Sequence, residues 1–85
     1  MPVPSQRPAL RDISIAIRRG VDERLRVNGR TWQWLADRMV TRGLSHEQSV
    51  WAWKSGRSVS ISAALYVGIL EELSADEAQQ RREAR

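Results

Sequence analysis

Apolar residues recur at helical spacing in four blocks, separated by short polar segments that carry glycine, asparagine or serine. In the first block Ile13, Ala16, Ile17, Gly20, Val21, Arg24 and Leu25 fall at i, i+3, i+4, i+7, i+8, i+11 and i+12. All but Arg24 are apolar or small, which predicts one face of an amphipathic helix. Asp12 is its expected N-cap and Asn28-Gly29 its expected stop. Gly20 is expected to face a close neighbour. Arg18, Arg19 and Arg26 lie off the stripe and read as a solvated face.

The second block predicts a helix capped by Thr31, with Trp32, Leu35, Ala36, Met39 and Val40 buried. Trp34 lies off the centre of that stripe. Gly43 is the expected stop, with Leu44 anchoring the connection between the helices. In the third block, Ser45-His46-Glu47-Gln48 fits a capping box, with Gln48 three residues after Ser45. Val50 and Trp53 share one face. His46, Glu47, Gln48, Ser49 and Ala52 are left for the other, Trp51 lies between, and Ser55-Gly56 ends the helix. The fourth block predicts a helix from about Ser60 to Leu73, with Ile61, Ala64, Leu65, Gly68, Ile69 and Glu72-Leu73 on its stripe. Val67 and Leu70 widen that stripe, which suits a central helix or a second face for a partner chain. Ser74-Ala75-Asp76-Glu77 repeats the capping-box pattern, so residues 75–85 read as a short fifth helix or a polar tail.

The expected fold is all-α, a small bundle of four to five helices. Its organisation is an N-terminal arm over 1–11, a helical domain over 12–74 and a polar C-terminal segment over 75–85. Pro2, Pro4 and Pro8 oppose a helix in the arm, and Arg7 and Arg11 flank its end. Such a basic arm either frays or lies along a minor groove.

Composition narrows the function. The chain has no cysteine, which removes disulfides, Cys-based metal sites and a thiol nucleophile. One histidine does not make a metal site of the common type. There is no nucleophile beside a base and no glycine-rich phosphate loop, so an enzyme is not expected, nor a cofactor. No apolar run approaches the roughly 20 residues that span a membrane, and the N-terminal segment lacks the apolar region of a secretory signal. A cytoplasmic location, in a bacterium or a phage-infected host cell, is expected. The net charge is +4, with +6 over residues 1–57 and −2 over residues 58–85. The positive charge thus coincides with the part of the chain that carries the second and third helices, and a basic face attracts polyanions.

Two short helices joined by a connection, the second polar on one side and ending in Trp53-Lys54-Ser55-Gly56-Arg57, have the layout of a helix-turn-helix. The Thr-capped helix with Leu35-Ala36 and Met39, then Val50, then Trp53 to Arg57, resembles the Cro/phage-repressor (XRE-like) helix-turn-helix family over about residues 13–73. The chain departs from the family pattern in three places. The Met39–Trp53 interval is about four residues longer, Lys54 replaces the usual Glu, and Ser58-Val59-Ser60 replaces a proline. The resemblance implies a lambda-repressor-like fold and a transcription regulator that binds double-stranded DNA, reading the major groove with residues 45–55.

Groove geometry then assigns roles. Gln48 suits adenine N6 and N7, and Ser49, His46, Glu47 and Trp51 are further candidates at base edges. Arg30, Thr31 and Gln33 are expected at phosphates near the start of the second helix, and Lys54, Arg57 and Ser58 at phosphates beyond the third. A homodimer on a two-fold site is expected, through the broad fourth helix or Trp34. The competing reading is a small helical protein-binding module, such as an antirepressor or an enzyme inhibitor, suggested by the tryptophans near the third helix.

Overall fold

The computed structural model describes residues 10–84, with the side chain of Leu10 excepted. The arm over residues 1–9 lies outside the described residues. Four helices and no strand are found among the described residues: α1 (Leu10–Asn28), α2 (Trp32–Thr41), α3 (Glu47–Lys54) and α4 (Ala63–Glu83).

Two features build α2. Thr31 caps it, its Oγ1 accepting from Trp34 N at 3.1 Å, which satisfies one of the free donors of the first turn. Trp32, Leu35, Ala36 and Met39 repeat at helical spacing and are all buried. The helix closes with a reciprocal pair of bonds, Gly43 N to Val40 O and Leu44 N to Met39 O. That arrangement requires a left-handed residue, and Gly43 supplies it at φ +70°. Leu44 then turns inward against Met39 and α4. Val40, expected in the stripe, is 46% exposed. It stands at the last turn, on an open groove lined also by Leu44 and His46.

Several sequence-based expectations are corrected. α1 already includes Leu10 and Arg11, so Asp12 is a first-turn acid rather than the N-cap, and the arm cannot extend to residue 11. The buried face of α1 is turned by about one residue. Ser14, Val21 and Leu25 are buried and Ile17 half-buried, while Ile13, Ala16 and Gly20 are exposed. Gly20 has no close neighbour. A polar contact across the bundle accompanies this rotation. Trp53 Nε1 donates to Ser14 Oγ at 3.0 Å, so the serine is buried with its hydrogen bond made.

The capping box at Ser45 does not form. α3 starts at Glu47 with His46 as N-cap, and Ser45 Oγ donates to the His46 carbonyl. The box at Ser74 does not form either. α4 starts after Ser62, whose Oγ accepts from Leu65 N, and runs without a break to Glu83. There is no fifth helix among the described residues, and residues 75–84 are not a tail.

Those last turns are tied to α1 and to the α1–α2 connection. Arg24 bonds Glu77 at 2.7 Å, Gln80 Nε2 donates to the Asn28 carbonyl at 2.8 Å, and Arg30 bonds Asp76 at 2.7 Å. α4 lies parallel to α1, pairing 24 with 77 and 28 with 80, and antiparallel to α2, pairing Arg38 with Glu72 and Arg42 with Gly68 O. The core lies where these helices meet α3. Trp32 and Trp53 are both buried and meet edge to face, centroids 6.0 Å apart.

Candidate functional site

Val50 and Trp53 anchor α3, both fully buried against the core. Their spacing fixes the helix rotation, so Gln48 and Ser49 are exposed and Ala52 is half-buried. Gln48, Ala52 and Arg57 line one open hollow. The polar face of α3 therefore runs on into the segment after it. Gly56, at φ +83°, makes the turn that lets the chain leave α3 in that direction. His46 and Ser49 line a separate groove with Val40, Leu44 and Leu65.

The start of α3 carries a polar network. Gln33 Nε2 donates to Asp37 Oδ1 at 2.8 Å and to Glu47 Oε1 at 2.9 Å. Trp51 Nε1 also donates to Glu47 Oε1, at 3.3 Å. The bonds from Gln33 and then Trp51 hold the Glu47 carboxyl below its ordinary range. Lys54 Nζ lies over the Trp51 ring, 5.7 Å from its centroid. Gln33, Glu47, Trp51 and Lys54 thus form one chain of contacts joining α2 to α3.

The expected phosphate contact at the start of α2 is changed in character. Arg30 does not point along α2. Its Nε and Nη2 bond the buried Asp76 carboxylate, and the guanidinium lies over Trp34, 5.1 Å from the ring centroid. Thr31 serves as the cap, and Gln33 is held between two carboxylates. At the other end of α3, Lys54 and Arg57 are exposed. Arg57 Nε donates to Ser55 Oγ and Ser58 Oγ to the Ser60 carbonyl.

No family model, curated protein or solved structure matches the chain.

Sequence reasoning missed two contributors. Asp37 adds an acid beside Glu47, at i+4 from Gln33, where a side-chain amide meets a carboxylate on a helix surface. Arg18 approaches the end of α3, its Nη1 donating to the Trp53 carbonyl at 3.1 Å. The signal for Arg18 was its spacing, since it follows Ser14 by four residues and precedes Val21 by three. Among the described residues no group of three or more potential metal ligands occurs, and no helix is long and apolar enough to cross a membrane.

Proposed function

We propose that the chain binds duplex DNA as a small, sequence-specific transcription regulator of the Cro-like, phage-repressor kind, with α2 and α3 as its helix-turn-helix. The observation that carries this reading is the exposed polar face of α3, Gln48 and Ser49 with the small Ala52, continuing into Arg57. A helix anchored by one face and polar on the other fits a major groove. The connection accommodates the longer interval in two ways. α2 runs two residues past Met39, and Arg42 to His46 make a five-residue link.

Gln48 is the principal base reader in this reading, because its amide is exposed and offers a donor and an acceptor to adenine. Ser49 is the second. Glu47 acts mainly by holding α3 on α2 through Gln33, and Trp51 braces Glu47 from the next turn of the same helix. A single such motif covers few base pairs, so a homodimer on a palindromic site is proposed. The exposed Val40 and Val67 are the apolar side chains available on α2 and α4.

Selection from random-sequence duplexes at two salt concentrations tests the reading. An enriched palindrome is expected, with the preference at one position relaxed by Gln48→Ala. Weak binding that enriches no sequence and vanishes at the higher salt would reject it in favour of a protein partner.

A further inference from the structure

The cations of the described residues fall into two groups. Arg24, Arg26, Arg30, Arg38 and Arg42 each meet a carboxylate within 4.0 Å. Arg11, Arg18, Arg19, Lys54, Arg57, Arg81 and Arg82 meet none among the described residues. Five of these seven are gathered in one place. Arg11 and Arg18 line a hollow of about 180 Å³ with Ser55, Gly56 and Ser58, and no acid lines it. Arg18, Arg19 and Lys54 line the next hollow along, with Asp22 and Trp32. Asp22 Oδ1 is itself bonded by Trp32 Nε1 at 2.8 Å. Arg57 lies beside Ser55 at 3.2 Å. Arg18 spans both hollows while bonding the last turn of α3.

We propose that Arg11, Arg18, Arg19, Lys54 and Arg57 form a continuous phosphate-binding strip at the junction of α1 and the end of α3, and that it grips one backbone of a DNA duplex. The proposal rests on the DNA reading above and relocates its main phosphate contacts to α1. The start of α2 is the poorer site. Its arginine is neutralised by Asp76, and Asp37 and Glu47 repel a phosphate there. The strip continues the open surface of Gln48, Ala52 and Arg57, so phosphates gripped by it flank the bases that α3 reads.

The test compares two double substitutions that remove equal charge. Arg11→Gln with Arg19→Gln lies in the strip. Arg81→Gln with Arg82→Gln lies in the last turn of α4, at the far end of α1 from Arg11. Arg18 is left intact because it also holds α3. Binding to a random duplex of about 20 base pairs is titrated by anisotropy from about 50 to about 200 mM salt. Circular dichroism checks that each variant keeps its helix content. The strip variant is expected to lower the slope of log K against log salt by about 1.8, at about 0.9 per lost phosphate contact. Affinity at 0.1 M salt is then expected to drop by roughly tenfold per contact. The control pair is expected to keep the wild-type slope.

If the wild type binds and the strip variant keeps its slope, the strip is overturned and the DNA reading stands. Equal losses in both pairs would show a general charge effect and also overturn it. A wild type with no salt-dependent DNA binding overturns the DNA reading itself.

Discussion

Replacing Asp76 by alanine tests whether the end of α4 belongs to the folded core. Asp76 is 8% exposed and accepts from Arg30 Nε and Nη2 and from Gln80 Nε2, the last at 3.0 Å. Hydrogen bonds to a charged group each contribute about 1.5–3 kcal/mol, and breaking a fully buried pair costs about 3–5 kcal/mol. The lower range applies here. The Arg30 side chain is 39% exposed, so its stranded guanidinium regains water. A loss of about 2 kcal/mol is expected, which for a domain of this size lowers Tm by about 8–16 °C. Urea unfolding at neutral pH measures it. Arg30→Gln and the double variant complete a cycle whose coupling is expected to exceed about 1 kcal/mol.

Acid adds a second readout. The Arg30 hydrogen bond, against the cost of burial, holds the Asp76 carboxyl below its ordinary value, and Arg24 does the same to Glu77. A lowered carboxyl stabilises the fold above its unfolded value of about 4 and loses that contribution as pH falls through the folded value. Wild-type stability should therefore decline below about pH 4, and Asp76→Ala should flatten part of that decline. Stability within about 0.5 kcal/mol of wild type, or zero coupling to Arg30, would refute the reasoning.

Two further substitutions probe the packing. Trp53→Phe removes the donor to the buried Ser14 hydroxyl and should cost about 1–2 kcal/mol beyond the change in area. Ser14→Ala in the same chain should recover part of that, and additivity in urea unfolding would argue against the bond. Gly68→Ala would place a methyl against the Leu44 side chain and within 3.4 Å of Met39 Sδ. Overpacking of about 1–3 kcal/mol opposes a helix-propensity gain of about 1 kcal/mol, so a net loss near 1 kcal/mol is expected. Adding Leu44→Ala should remove the overpacking part, which thermal melts of the double variant would reveal.

What was legible in the sequence follows from the range of each interaction. The stripe Trp32, Leu35, Ala36 and Met39 and the cap Thr31 are local patterns that packing reinforces. The fate of Ser74 is set from far away. Its capping-box pattern was locally sound, but Asp76 and Glu77 find arginines 46 and 53 residues earlier, which keeps the helix going. The face of α1 is not legible from periodicity, because hydrophobicity alone ranks Ile13 above Ser14. The bond from the Trp53 indole offsets the cost of burying the serine hydroxyl. At the site, helix phase exposed Gln48 and Ser49 as expected. Arg30 was read by its neighbours in sequence, and its guanidinium answers instead to α4.

The placement of the four tryptophans has an optical consequence. Trp53 is sealed in the core and Trp32 is buried with one edge on the Arg18–Lys54 hollow, while Trp34 and Trp51 are half-buried, each beneath a cation. Fluorescence from the inner pair reports the integrity of the bundle. Emission from Trp51, between Glu47 and Lys54 on the helix that carries Gln48, reports what arrives at that surface. Replacing Trp34 and Trp51 by phenylalanine leaves only the buried pair emitting, and its signal set against that of the wild type separates folding from occupancy of the Gln48 face without an added label.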